Sequence, residues 1–477
     1  MISFGTGGWR AIIGDGFTKY NVQRLSVAIA RRMKDEGCVE RGFVIGYDRR
    51  FLSREAAEWA AEILAAEGIP TKVIKREAPT PLVMFTVQKM EMSYGMAVTA
   101  SHNPALYNGI KLFTYGGRDA VETITNELSA VANTITADDL HPITYAEGLA
   151  SGMIEEINPK STYINSITNL IDIEAIRRSN QNNNLRIVLD PMFGVSRTSL
   201  QSILLTAHCD VDVIHERRDA LFGGRLPAPT EETLSELRMT VLESDADIGI
   251  ATDGDADRLG IIDDTGRFIH PNEILCLLYD YLLRVKGWKG CCVRNLATTH
   301  LLDRIAAANG EICHEVPVGF KHISWAMEQN DALIGGESSG GLTVRGHIRG
   351  KDGIYAAALL VEMLAVTGKK LSTLIEELYE RYGHSEMVEY DWPFDQAMKD
   401  RLIQLLMVDR KLPDFPEKVV STSYMDGMKA RTEDGWIIAR FSGTEPRLRI
   451  FCEMPTAARA IAMVATMADF CGLKMKK

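Results

Sequence analysis

The stretch "ADIGIATDGDADRLGIID" (246–263) places three aspartates, Asp253, Asp255 and Asp257, between two short apolar runs. Short apolar runs bounded by polar loops are typical of buried strands. A helical pattern from Glu231 precedes the first run. Helix and strand in alternation predict an α/β unit, and its strand-end loops are where such proteins place their chemistry.

The same alternation occurs before and after this stretch. Upstream lie "LRIVLD" (185–190), a helix after Gly194 and the strand "DVDVIHE" (210–216). An earlier and a later set follow the same pattern: a helix around Val22 to Lys34, "RGFVIGYD" (41–48), a helix from Ser53 to Ala66 and "TKVIK" (71–75); then "GCCVRNL" (290–296), "EICHEVPV" (311–318) and "DALIGGE" (331–337). We therefore predict three similar α/β domains with mixed, largely parallel sheets.

The last hundred residues follow a different pattern. "KVVSTSYMDGMKARTEDGWIIARF" (418–441) alternates polar and apolar positions around DG pairs, which predicts antiparallel hairpins. A helical pattern from Ala457 to Phe470 would cover one face of that sheet, giving an α+β domain. The predicted domains are 1–155 with the loop of Ser101, 156–265 with the aspartate loop, 266–382 and 383–477.

Composition narrows the functional classes. The 477 residues are 46% hydrophobic and 25% charged, as in globular multidomain proteins, and no apolar run approaches the ~20 residues that span a bilayer. The net charge of −11 argues against nucleic-acid binding, and eight cysteines without regular spacing argue against zinc or disulfide frameworks. The N-terminus lacks a signal-peptide pattern. We expect a cytoplasmic protein without nucleic-acid or membrane partners.

The aspartate loop is a candidate metal site. Three closely spaced carboxylates repel one another unless a cation or water lies among them, and hard oxygen ligands suit Mg²⁺ or Ca²⁺. An EF-hand is excluded, because its sixth and twelfth positions would be Arg258 and Asp264 instead of Gly and Glu. The alternative is a solvated acidic turn.

"TASHNP" (99–104) follows the apolar run 95–98 and contains Ser101 and His102. Asn, Ser and Pro at a strand end are typical of a turn. A hydroxyl beside a titratable ring is also a candidate nucleophile. A divalent ion that bridges the aspartate loop to a phosphate on Ser101 would give both motifs one purpose.

Two glycine-containing loops complete the set. In "GGESSGG" (335–341), Glu337 and Ser339 could bind vicinal sugar hydroxyls, unless the loop is a plain connection. "RFSGTEPRLRI" (440–450) combines the components of a phosphate-binding loop, unless it is a β-turn with charged rims; these are Arg440, Ser442, Gly443, Thr444 and Arg447. Arg10, Lys111 and Lys321 lie beside glycines or strand ends, where each could equally be a solvated surface charge.

The four motifs, in this order and along essentially the whole chain from "GTGGWR" (5–10) onward, resemble those of the α-D-phosphohexomutases. That superfamily includes phosphoglucomutase, phosphomannomutase and phosphoglucosamine mutase. The resemblance implies three similar α/β domains and a smaller fourth domain around a central cleft. It also implies an isomerase that interconverts hexose 1-phosphate and hexose 6-phosphate through a phosphoserine and a hexose 1,6-bisphosphate.

The resemblance further implies a role for each matching residue. Ser101 would carry the phosphoryl group, and it would bind Mg²⁺ together with Asp253, Asp255 and Asp257. Glu337 and Ser339 would bind sugar hydroxyls. The non-reacting phosphate would be held by Arg440, Ser442, Gly443 and Thr444, with Arg447 just beyond the motif. Lys111 would help to move protons with His102 nearby, and the cations facing the phosphates would be Arg10, Arg258 and Lys321.

The substrate sugar is suggested by the same resemblance. Gly341 stands where mannose-accepting mutases often have histidine, and "HIRGKDG" (347–353) is similar to the glucose-specific branch. Ser338 and Phe441 depart from that branch, which usually has glutamate and proline there. Glucose is the expected substrate, with phosphomannomutase or a dual activity, then phosphoglucosamine mutase, as alternatives. A sugar-phosphate phosphatase and a non-catalytic sugar-phosphate sensor are the rivals from other classes.

Overall fold

The structure, a computed structural model, describes residues 1–5, 7–181, 184–442 and 446–475. Across these ranges the strands form four separate sheets, with helices packed on them. The predicted α/β class with a terminal α+β domain is confirmed. No helix in the described ranges combines the length and the apolar character that a bilayer crossing requires.

The first sheet is built from the N-terminal part of the chain. Its strands are β1 Phe4–Gly5, β2 Gly8–Ile12, β3 Phe43–Tyr47, β4 Thr71–Ile74, β5 Tyr94–Val98, β6 Tyr107–Thr114, β7 Arg118–Asp119 and β8 Ile154–Ile157. The accompanying helices are α1 Lys19–Asp35, α2 Ser53–Ala66, α3 Thr80–Lys89, α4 Glu122–Thr134 and α5 Tyr145–Ser151. Strands β3 and β5 pair in parallel and are buried along their whole length, as strands covered on both faces are.

The second sheet follows the helices α6 Lys160–Thr168 and α7 Ile173–Asn180. It has the order β10-β9-β11-β12-β13. Its elements are β9 Arg186–Asp190, α8 Arg197–Thr206, β10 Asp210–Val213, α9 Ser235–Ser244, β11 Ile248–Thr252, β12 Leu259–Asp263 and β13 Phe268–Ile269. Helix α9 begins four residues after the predicted start at Glu231, because the Thr230 and Thr233 hydroxyls bond nearby backbone groups in a turn.

The third sheet has the order β15-β14-β16-β17. Its elements are α10 Pro271–Asp280, β14 Cys292–Asn295, α11 Leu301–Ala308, β15 Cys313–Val316, α12 Phe320–Gln329, β16 Ile334–Gly336, β17 Leu342–Val344, α13 Gly353–Thr367 and α14 Leu371–Tyr382. Helix α13 packs against α7 and α8, so the second and third sheets share one continuous apolar core.

The fourth sheet is antiparallel throughout, as the hairpin pattern predicts. Its order is β18-β22-β21-β20-β19, and α16 packs on β18 and β22. The elements are β18 Glu386–Pro393, α15 Gln396–Ile403, β19 Ser421–Ser423, β20 Met428–Arg431, β21 Trp436–Phe441, β22 Arg447–Met454 and α16 Ala457–Phe470.

Three of the four sequence motifs occupy equivalent positions in their sheets. Each follows a strand that pairs in parallel on one side and antiparallel on the other: β5 between β3 and β6, β11 between β9 and β12, and β16 between β14 and β17. Loops at such changes of strand direction open into crevices that bind ligands in α/β proteins. The repeated topology therefore presents Ser101, the aspartates and Glu337 at matching strand ends.

Candidate active site

Ser101 lies at the end of β5 with its side chain directed at the second domain. It is 1% exposed and has a φ of 53°, a left-handed conformation that is uncommon for a serine. Its Oγ donates a hydrogen bond to Asp253 Oδ2 at 2.9 Å, and the Nδ1 atom of His102 is 3.3 Å from the same Oγ. The nucleophile candidate and the aspartate loop are therefore in direct contact.

The aspartate loop is buried and converges on one point, unlike a solvated turn. Asp253, Asp255 and Asp257 are each almost completely buried, and each can offer an oxygen within 4.8 Å of the others. Asp253 Oδ1 accepts hydrogen bonds from the amides of Asp257 and Arg258 at 3.0 and 3.1 Å. These bonds fold the loop back on itself and turn the carboxylates inward.

Lys111 lies on β6, which pairs with β5, and reaches into the aspartate loop. Its Nζ is 2.6 Å from Asp255 Oδ2 and 2.5 Å from Asp257 Oδ2. Burial disfavours the Lys111 cation, but the two carboxylates outweigh burial and raise its pKa. Burial and the charges of Asp255 and Asp257 raise the pKa of Asp253. The lysine is thus held protonated beside the nucleophile candidate.

The donor set fits a divalent cation. Within the described ranges, Asp255 Oδ1 and Asp257 Oδ1 are buried without a hydrogen-bond partner. A buried carboxylate oxygen without a partner is costly unless a cation satisfies it. Carboxylate oxygens are the ligands that Mg²⁺ takes in proteins, with phosphate or water completing its shell. Asp253, Asp255 and Asp257 could therefore hold such an ion.

Two arginines add positive charge near Ser101. Arg10 Nη1 donates to Asn103 Oδ1 at 2.6 Å within the same loop. Burial and the charge of Arg258 lower the pKa of Arg10. The Arg258 charge, followed by burial and Arg10, lowers the pKa of His102, so this imidazole is neutral. The arrangement supplies a local positive field for an anion in an otherwise acidic protein.

The GGESSGG loop lies beside the strand that follows the aspartate loop. Glu337 is largely buried and its Oε1 accepts from Asn295 Nδ2 at 3.1 Å, whereas Ser339 is exposed. The carbonyl of Gly340 accepts a hydrogen bond from the Leu259 amide at 3.1 Å. The third domain thus brings a carboxylate and a hydroxyl next to the second domain.

Lys321 lies in the third domain and Arg440 in the fourth. The segment before Lys321 contacts the same aspartate that pairs with Arg440. Lys321 Nζ is 2.5 Å from Glu122 Oε1 of the first domain. Arg440 Nε is 2.9 Å from Asp426 Oδ2, which also accepts a hydrogen bond from the Val318 amide at 3.0 Å. The start of the fourth motif therefore lies against the segment that leads to Lys321.

The rest of the fourth motif is partly described. The Ser442 amide donates to the Arg447 carbonyl at 2.8 Å, and the Arg447 side chain forms an ion pair with Asp391. Gly443 and Thr444 lie outside the described residues.

Comparison with known proteins identifies the family. Residues 1–139, 161–266 and 270–382 match the alpha/beta/alpha domains I, II and III of phosphoglucomutase/phosphomannomutase, and residues 402–470 match its C-terminal domain. The chain belongs to the phosphoglucomutase/phosphomannomutase family. Members of this α-D-phosphohexomutase superfamily are isomerases that transfer phosphate intramolecularly, so the resemblance drawn from the motifs is confirmed.

Relatives of the phosphoglucomutase/phosphomannomutase family match nearly the whole chain. A phosphoglucomutase/phosphomannomutase of Thermococcus kodakarensis is 32% identical over 96% of this chain and 95% of its own. A Methanothermobacter thermautotrophicus protein assigned as a phosphoglucosamine mutase is 29% identical over 96% of this chain and 95% of its own. The crystal structure of a Thermus Thermophilus protein assigned as a phosphomannomutase superimposes with a TM-score of 0.84 at 28% identity, covering 99% of both chains.

Two side chains that the four motifs do not include also reach the aspartate loop. Lys351 Nζ is 3.2 Å from Asp257 Oδ2, and Thr80 Oγ1 donates to Asp255 Oδ2 at 2.5 Å. Lys351 lies within "HIRGKDG", where its position before the helix-capping Asp352 is the sequence feature that could have drawn attention to it. Thr80 begins α3 without a comparable sequence feature.

Proposed function

We propose that this phosphohexomutase interconverts glucose 1-phosphate and glucose 6-phosphate, with the phosphoryl group carried on Ser101 and glucose 1,6-bisphosphate as the intermediate. One observation carries the proposal: the Ser101 hydroxyl lies 2.9 Å from Asp253 in a buried site. Asp255, Asp257 and Lys111 meet at the same place. A phosphoryl group on a hydroxyl so placed would lie near an acidic loop that can bind a metal ion and near cations that can stabilise its charge.

Asp253, Asp255 and Asp257 would hold Mg²⁺, the ion used by this family, together with a phosphate oxygen on Ser101. When bound, the ion would neutralise charge on the phosphoryl group during transfer. The buried carboxylate oxygens of Asp255 and Asp257 described above support this assignment.

The proposed transfer begins with a phosphoryl group on Ser101. The bond from phosphorus to Ser101 Oγ breaks as a bond forms to the free hydroxyl oxygen of the sugar phosphate. The sugar hydroxyl loses a proton and Ser101 Oγ gains one. We assign acceptance of the first to the neutral His102, whose Nδ1 lies 3.3 Å from Oγ, and donation of the second to the protonated Lys111. After the bisphosphate turns over, its other phosphoryl group returns to Ser101 by the reverse step.

Binding of the distant phosphate would position the reacting one. We assign binding of the distant phosphate to the fourth motif, namely Arg440, Ser442, Gly443 and Thr444, with Arg447 and Lys321 contributing charge. Arginine binds phosphate through two parallel hydrogen bonds, which fixes orientation as well as distance. Binding energy at the non-reacting end can then be used to align the reacting end. Arg10 and Arg258 are assigned to the reacting phosphate, since both lie near the Ser101 loop.

The packing around Gly341 supports glucose as the sugar. A Cβ atom at this position would lie 2.2 Å from Lys351 Cδ, and Lys351 is itself held by Asp257. A histidine at position 341, which the family resemblance associates with mannose-accepting mutases, would therefore displace a lysine that contacts the aspartate loop. Glu337 and Ser339 are assigned to the glucose hydroxyls.

The test is a comparison of substrates on the purified full chain with Mg²⁺. We expect kcat/KM to be highest for glucose 1-phosphate when glucose, mannose and glucosamine 1-phosphates are compared at matched concentrations. A higher value for mannose or glucosamine would replace glucose by that sugar and leave the mutase chemistry intact. Release of inorganic phosphate in proportion to substrate consumed would instead identify a phosphatase and overturn the proposal.

A further inference from the structure

Arg50 lies beneath the Ser101 loop and is 1% exposed. Its Nη2 donates to the carbonyls of Ser101 and Asn103 at 2.6 and 2.7 Å. Its Nη1 donates to the carbonyls of Pro104 and Tyr107 at 2.9 and 3.0 Å. One guanidinium group therefore donates hydrogen bonds to four carbonyls of the loop that bears Ser101. A lysine ammonium cannot reproduce this geometry.

Asp48 extends this arrangement to the amide of Ser101. Arg50 Nε is 3.2 Å from Asp48 Oδ2, and the same oxygen accepts a hydrogen bond from Thr99 Oγ1 at 2.6 Å. Thr99 Oγ1 in turn accepts from the Ser101 amide at 2.8 Å. Both backbone polar groups of Ser101 are thus tied, directly or through Asp48 and Thr99, to Arg50.

The second domain also contacts Arg50 and the Ser101 carbonyl. The Arg50 guanidinium lies 4.8 Å from the centre of the Phe222 ring. A Cβ atom at Gly254 would lie 2.8 Å from the Ser101 carbonyl oxygen, so the aspartate loop approaches this carbonyl closely. The carbonyl that Arg50 holds is therefore located between the two domains whose side chains meet at Ser101 Oγ.

We propose that Arg50 is a positioning residue, which holds Ser101 in its left-handed conformation and thereby directs Oγ at Asp253. A non-glycine residue with a φ of 53° persists only where the surroundings over-determine it, and the four carbonyl contacts together with the Asp48–Thr99 relay supply that constraint. The proposal rests on the proposed role of Ser101 as phosphoryl carrier. Arg50 itself touches neither substrate nor metal ligand side chain in this scheme.

The test compares two adjacent arginines. Arg49 Nη1 also donates to backbone carbonyls, those of Phe193 and Glu216 at 3.2 and 3.1 Å, and among the described residues no hydrogen bond joins Arg49 to the Ser101 loop. We expect Arg50→Lys to lower kcat about 100-fold, the scale of a misplaced reacting group, while KM changes less than about threefold. Arg49→Lys should keep kcat within about twofold of wild type, because it leaves the nucleophile in place.

A second pair of variants covers the case in which Arg50→Lys does not fold. Thr99→Val removes the hydroxyl that links Asp48 to the Ser101 amide and leaves the buried ion pair intact, so we expect kcat to fall about tenfold at unchanged KM. Thr99→Ser retains the hydroxyl and should restore kcat. Wild-type kcat in both Arg50→Lys and Thr99→Val, or a loss in Thr99→Val that serine does not restore, would overturn the positioning role.

Intact-mass measurement separates this proposal from the one on which it rests. A wild-type chain that turns over hexose phosphate and carries one phosphate on Ser101 supports the proposed function, whatever the Arg50 and Thr99 variants do. A wild-type chain with neither property overturns the proposed function itself. The single-turnover rate of phosphoryl transfer from Ser101 to glucose 1-phosphate should fall in Arg50→Lys in proportion to kcat.

Discussion

The Ser101 end and the Arg440 end of the site are held in contrasting ways. Ser101 and Asp253 are almost completely buried and are fixed by contacts from two domains. Arg440 has a side chain 13% exposed, and its partner Asp426 is 28% exposed. A buried hydrogen-bonded network is costly to rearrange, whereas a partly exposed ion pair contributes little and exchanges readily. With the proposed roles, the Ser101 end that reacts would be preorganised and the Arg440 end that binds the second phosphate would be exchangeable.

The two ends also differ in how their domains are attached. The second and third domains share one continuous core, whereas the fourth domain meets the third through a small apolar cluster. A polar network adjoins that cluster: the buried Lys429 Nζ donates to the Leu296 carbonyl at 2.8 Å and to the half-buried Glu315 Oε2 at 2.6 Å. A small interface with a polar network is of the kind that permits relative domain motion.

The largest expected effect is at the buried end. Ser101→Ala should abolish nearly all mutase activity while leaving the melting temperature close to wild type, because the side chain is small and carries no core packing. The added mass of one phosphate should disappear from the purified chain. A Ser101→Ala variant with full activity would remove the reason for treating this end as the reacting one.

A smaller loss is expected at the metal loop. Asp255→Asn removes one charged ligand and weakens the pairing with Lys111, so Mg²⁺ affinity and kcat should fall together, kcat by about 10² to 10³-fold. Titration of activity against Mg²⁺ measures both. Asp245→Asn is the matched control, since Asp245 is exposed on the same domain in a left-handed conformation that asparagine tolerates. Equal Mg²⁺ dependence in both variants would contradict a metal role for the loop.

At the Arg440 end we expect substitutions to change KM more than kcat. Arg440→Ala should raise KM for hexose phosphate about 10 to 100-fold with kcat changed only a few-fold, because this end contributes binding and no bond making. Asp426→Asn should have the opposite sign, a lower KM, since it weakens the ion pair that competes with phosphate. Arg459→Ala, on an exposed ion pair of the same domain, is the control. A fall in kcat alone for Arg440→Ala would erase the contrast between the two ends.

The smallest expected effect concerns the attachment of the fourth domain. Burial, followed by the Arg294 charge, lowers the pKa of His300 to about 4. Since the unfolded histidine titrates near 6.5, stability is full above about pH 6.5 and falls by roughly 1 to 3 kcal/mol as the pH drops towards 4. His300→Gln should therefore flatten the decrease in melting temperature between pH 7 and pH 5. His141→Gln, at an exposed position, should leave the decrease unchanged.

Local patterns were sufficient for most of the secondary structure. The helices Ser53–Ala66 and Ala457–Phe470 have the predicted bounds, because apolar periodicity acts over a few residues. Helix α9 begins later than its sequence pattern predicts, because side-chain bonding in the Thr230 turn competes with the helix. The family resemblance came from four short motifs, each of which follows a strand.

The sequence by itself determined the α/β units, the residue types of the four motifs and their placement at strand ends, since these depend on local periodicity and composition. Only the tertiary structure decided which motifs meet: Ser101 contacts Asp253 across 152 residues of sequence, and Lys111 reaches Asp255 across 144. It alone also placed Arg50 against the Ser101 loop and Lys351 beside Asp257. Their contacts depend on how separate sheets dock, which is set by packing between distant surfaces and leaves no periodic trace in the chain.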